Sequence, residues 1–88
     1  MSDAPQHRRL AVALQYSGQG APTVVASGRG LVGERIIAAA HQHGVPVEYD
    51  PPLAQALASV ELDAEIPEEL YLAVAEILGF LLRASGEG

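Results

Sequence analysis

The run Gly28-Arg29-Gly30-Leu31-Val32-Gly33 is the sharpest formal chemistry in the sequence. A G-x-G-x-x-G pattern between a strand and a helix lets backbone amides approach a pyrophosphate, and an acid at the end of the next strand then takes the ribose. Glu48 occupies that place in the sequence. The same glycines equally suit a plain strand-to-helix turn, and one β-α-β unit in 88 residues leaves no second half to hold a dinucleotide. A minimal nucleotide-binding domain using Gly28, Gly30, Gly33 and Glu48 is the alternative reading. No cofactor is expected under the preferred one.

The remaining reactive side chains do not assemble a catalytic set. His41 and His43 flank Gln42 on a predicted helix, where they point roughly 200° apart and cannot share a metal. A solvent-facing His41 and a helix-end His43 near the negative end of the dipole are expected instead. Glu61, Asp63, Glu65, Glu68 and Glu69 lack the glycine and the Asp/Asn ligand series of a calcium loop, so they predict a solvated acidic face. No serine sits in a G-x-S-x-G elbow, and the absence of cysteine excludes thiol catalysis, disulfides and thiolate metal sites. We expect no enzyme and no metal.

Charge narrows the partners. Five basic residues, all arginine, stand against eleven acids for a net charge of -6. Arg8 and Arg9 are adjacent while Arg29, Arg35 and Arg83 are scattered, so no basic stripe exists to neutralise phosphates. Protein partners are expected, and nucleic acid is not. The first residues lack the apolar core of a signal peptide, and the longest apolar run, Leu70 to Leu82, is interrupted by Glu76 and falls short of the roughly 20 residues that span a bilayer. These features predict a cytoplasmic protein that meets the membrane only through partners.

The positioning elements follow from periodicity. With 49% hydrophobic and 18% charged residues, the chain has the composition of a packed globule. Leu10, Val12, Leu14 and Tyr16 recur with period two, Ser17-Gly18-Gln19-Gly20 reads as a turn, and Thr23 to Ala26 make a second strand entered through Pro22. Leu31, Val32, Ile36, Ile37 and Ala40 recur at helical spacing, ended by Gly44 in the left-handed conformation. Val45 to Tyr49 is predicted as a short third strand, which Pro46 makes an edge strand or restricts in pairing at that point. Asp50 is an N-cap with Pro51 at N1 of a second helix whose apolar face is Leu53, Ala54, Leu57 and Ala58, and Pro67-Glu68-Glu69 opens a third lined by Leu70, Val74, Ile77, Leu78 and Leu81. Leu72 and Phe80 lie off that stripe, in ordinary partial burial or on a docking surface. The expected fold is α/β, a small mixed sheet in the order ββαβαα covered by helices. Residues 10–84 form the domain, 1–9 a flexible arm and 85–88 a tail.

Several of these segments form one collinear series: Leu10 to Tyr16, Ala21-Pro22-Thr23-Val24-Val25-Ala26-Ser27-Gly28, His43-Gly44-Val45-Pro46-Val47, Asp50 to Leu57, and Ile66 to Leu78. Together they resemble the C-terminal cytoplasmic domain of the FlhB/YscU family of the type III export apparatus, in its flagellar branch. The resemblance implies a domain that follows a membrane-embedded part and helps choose export substrates. It also implies self-cleavage at an Asn-Pro-Thr-His loop, matched here by Gln6-His7-Arg8-Arg9. The chain contains no asparagine, so that reaction is absent.

The resemblance implies that the family's strand upstream of the loop is missing from these residues. The strand from Leu10 to Tyr16 is therefore expected to expose an edge, covered by the N-terminal arm, by self-association or by an FlhB partner through strand addition. By the same register, the resemblance places a shallow apolar substrate pocket at Ala21, Pro22, Ala75 and Leu78. It implies a non-enzymatic domain that substitutes for, or competes with, the cleaved FlhB fragment toward export substrates and the FlhB-type membrane part.

Overall fold

The computed structural model describes residues 9–84, with side chains as far as Gly79. The expected arm from residue 1 lies outside them except for Arg9, as do the tail 85–88 and the side chain of Phe80. Strands β1 (Leu10–Gln15) and β2 (Thr23–Arg29) are followed by helices α1 (Leu31–Gln42) and α2 (Pro51–Ala58), a 3-10 turn (Glu68–Leu70) and helix α3 (Tyr71–Ala84).

The strands pair antiparallel from Leu10↔Arg29 to Gln15↔Thr23 through a turn whose Gly18 and Gly20 take positive φ. One irregularity shapes everything above it. Ala13 pairs with Ala26 but Leu14 pairs with Val24, so Val25 is an extra residue in β2. The bulge switches the alternation and brings Val24, fully buried, onto the face of Val12 and Leu14, while Val25 turns outward. That face carries the core: Val24, Leu57, Ile66 and Val74 are buried together, with Leu53, Val60, Leu70 and Leu78 packed around them. Each such side chain contributes about 1.5–3 kcal/mol by leaving water.

The opposite face is small: Ala11, Ala13, Ala26 and Gly28. α1 lies against it so closely that a Cβ on Gly28 would overlap the Val32 side chain, and one on Gly33 would stand 2.9 Å from the carbonyl oxygens of both Arg9 and Gly28. α1 ends as expected, with Gly44 at φ 69. α2 also begins as expected. Asp50 Oδ1 accepts from the Leu53 N–H at 3.2 Å, and proline opens the first turn. α3 is entered through extended Pro67 and the 3-10 turn, which places Glu68 and Glu69 at its positive end.

The α/β class and the helical cover stand, but the third strand does not form. Val45 to Asp50 is irregular, so the order is ββααα around a two-stranded sheet. A strand requires a neighbour, and none of the described residues pairs with this segment. The Val45 N–H bonds the Ala40 carbonyl at 2.8 Å, closing the helix instead of starting a ladder, and Pro46 has no N–H to offer. The outer side of β2 is occupied by the connection before α3. Asp63 N–H donates to Val24 O at 2.6 Å, Val24 N–H to Ala64 O at 3.0 Å, and Ile66 N–H to Pro22 O at 3.0 Å.

Candidate protein-docking site

Each motif glycine has a packing function. Gly28 and Gly33 permit the close approach of hairpin and helix, and Gly30, at φ 60 and ψ -127, makes the corner between β2 and α1. Glu48 follows the far end of α1 and stands on no strand, so the β-α-β unit of a dinucleotide site is not formed. The histidines also behave as expected. His41 is exposed, and the His43 ring Nδ1 donates to the Ala39 carbonyl at 2.9 Å. Among the described residues no group of three or more His, Asp or Glu side chains is arranged to hold a metal.

The four residues expected to line an apolar pocket fall into three environments. Ala21, entering β2, and Leu78, on α3, are half-buried and pack against the Val24–Leu57–Ile66–Val74 cluster. Pro22 is buried, with its carbonyl accepting from Ile66. Ala75 is exposed one helical turn from Leu78. The start of β2 and one flank of α3 thus border the same core, with Ala75 exposed on the helix and Pro22 buried at the strand entry.

Large apolar side chains are exposed on α3 and in the segment before α2. On α3, Leu72 is 72% exposed and Tyr71 45% exposed. The off-stripe position of Leu72 signalled this in the sequence, whereas Tyr71 was hidden by its place at the α3 entry. Val45, Val47 and Tyr49 are also exposed, Tyr49 to 87%. Their strand-like alternation was legible; their lack of a neighbour was not. Among the described residues β1 pairs with β2 alone, and because Gly30 N–H donates to Arg9 O, the alternation of the ladder turns the backbone groups of Leu10 and Val12 away from β2.

Residues 4–81 match the model of the FlhB HrpN YscU SpaS family. The chain belongs to this family. It is 43% identical over 77 residues to the protein YlqH of Bacillus subtilis, covering 85% of this chain and 83% of that one. It is 41% identical over 78 residues to the flagellar biosynthetic protein FlhB of Salmonella typhimurium, covering 88% of this chain but only 20% of that protein. Among solved structures it resembles the cytoplasmic domain of FlhB from Shewanella putrefaciens with a TM-score of 0.78 and 33% identity, covering 90% of this chain and 70% of that one. The PscU C-terminal domain superimposes with a TM-score of 0.77 at 30% identity, covering 83% of this chain and 96% of that one. The chain is therefore an FlhB-like domain of the flagellar and type III export family, and it spans about a fifth of the FlhB proteins it matches. Among the described residues no helix is long and apolar enough to cross a membrane.

Proposed function

We propose that the chain is a non-enzymatic, cytoplasmic protein-binding domain of the export machinery, substituting for or competing with the cleaved C-terminal fragment of FlhB in recognising or switching export substrates. The observation that carries this proposal is the likeness to the FlhB cytoplasmic domain over 90% of the chain. A substrate side chain would dock at Ala21, Pro22, Ala75 and Leu78, where half-buried apolar groups border the core and Ala75 leaves room at the rim. Bulk at Ala75 would close that rim.

The partner within the apparatus is an FlhB-type protein, held through the side of β1 that faces away from β2. Its backbone groups at Leu10 and Val12 are available to an added strand, a common mode of peptide capture at sheet edges. Hydrogen exchange tests this with the chain alone and with an FlhB truncated before the matched region. The Leu10 and Val12 amides should exchange rapidly alone and become protected in the mixture. Protection that rises with chain concentration without FlhB would assign the edge to self-association; exchange unchanged by FlhB would reject strand addition.

A further inference from the structure

The geometry points to a charge requirement at the proposed substrate site: the partner segment carries an apolar anchor flanked by lysine or arginine. This inference rests on the docking reading above and specifies its ligand. From Ile36 to Leu82 the sequence holds no lysine or arginine, while Glu48, Asp50, Glu61, Asp63, Glu65, Glu68, Glu69 and Glu76 all fall within it.

The structure arranges part of that charge around an apolar strip. Tyr71, Ala75 and Leu78 follow one another at helical spacing, and Leu72 stands one turn before Ala75, so these four make a continuous flank of α3 running from half-buried Leu78 to exposed Leu72. Glu76 stands one helical turn after Leu72, and Glu68 and Glu69 occupy the turn that leads into the helix. All three are exposed. Glu65 bridges to Thr23, and its carboxylate oxygen lies 3.9 Å from the Cβ position of Gly20, beside the Ala21-Pro22 entry. Carboxylates thus stand along the α3 strip and beside the β2 entry.

The occupant follows from charge complementarity. Nucleic acid and anionic lipid would be repelled by the surrounding carboxylates, and a second copy would bring another net charge of -6. A protein segment with one aliphatic or aromatic residue between basic ones satisfies both parts of the surface. Its apolar residue enters the strip, and its cations meet Glu65, Glu68, Glu69 and Glu76.

Two synthetic peptides sharing one central leucine, one with lysine flanks and the other with serine flanks, should be titrated into the isotopically labelled full chain. The amides of residues 68–78 report site occupancy. The lysine-flanked peptide should bind about tenfold more tightly at low salt. That advantage should vanish at high salt and in a Glu69→Lys/Glu76→Lys chain, whose folding is checked by its thermal transition. A Glu69→Gln/Glu76→Gln chain should lose part of it. Equal affinity of both peptides at these amides would overturn the charge requirement and leave the docking site standing. Binding of neither peptide would overturn both, as would lysine-peptide binding mapped away from α3.

Discussion

Gly33→Ala should destabilise the domain even though alanine is the better helix former. A methyl group at this position would meet the Arg9 and Gly28 carbonyl oxygens at 2.9 Å and the Ala11 nitrogen at 3.4 Å. All three are backbone atoms of the paired hairpin, so no rotamer change can make room, and α1 must withdraw by a few tenths of an ångström. Overpacking costs about 1–3 kcal/mol, and contact with two unyielding backbone oxygens puts this site in the upper half, about 2–3 kcal/mol. Replacing glycine inside a helix returns about 1 kcal/mol. The expected net loss is about 1–2 kcal/mol, a substantial share of the few kcal/mol available to so small a domain. Thermal unfolding should show a midpoint lowered by about 5–15 °C. Urea unfolding should show a lower midpoint with an unchanged slope, as expected for a fold retained but weakened. Ala38, exposed on the same helix, provides the comparison. Ala38→Gly should lose about 1 kcal/mol from propensity alone. A Gly33→Ala protein as stable as the parent, or more stable, would refute the close packing of α1 on the hairpin.

The other expectations separate structural from docking residues. Asp50→Ala removes the acceptor for the Leu53 N–H and should cost about 1 kcal/mol in denaturant unfolding, while Asp50→Asn should cost little. Leu57→Ala opens a cavity in the core and should cost about 2–5 kcal/mol, whereas Leu72→Ala should stay within about 0.5 kcal/mol of the parent. Ala75→Glu should leave the thermal transition in place and abolish peptide binding at the α3 flank. Pro22→Glu should unfold the domain, because Pro22 is buried; its loss of binding would report folding, not recognition.

Local signals carried much of this structure into the sequence. The Asp50-Pro51-Pro52 corner, the left-handed Gly44 and the proline-led entry to α3 all lie where their residue types require, since caps and turns are decided by a few neighbouring groups. Relations between distant segments were less legible. The segment Val45 to Tyr49 has the alternation of a strand but no partner among the described residues, and pairing belongs to two segments at once. The bulge at Val25 reverses which β2 valine is buried, and nothing in Thr23-Val24-Val25-Ala26 marks it. The three motif glycines looked like a phosphate loop because close backbone approach needs glycine whether the approaching group is a phosphate or a helix. Of the expected site residues, Ala75 and Leu78 share a helix and could be related by spacing. The opposite exposures of Ala75 and Pro22 depended on how α3 and the connection before it close over β2.

The central claim is the proposal that this domain substitutes for, or competes with, the cleaved C-terminal fragment of FlhB in export. The most direct test is protein export, read as flagellar proteins in the culture medium, from cells whose FlhB ends before the matched region and from cells with intact FlhB, each with and without the chain. Export restored in the truncated cells, or lowered in the intact ones, is the predicted result, and the Ala75→Glu chain should produce neither effect. Export unchanged in both backgrounds, with the folded chain present, would contradict the account.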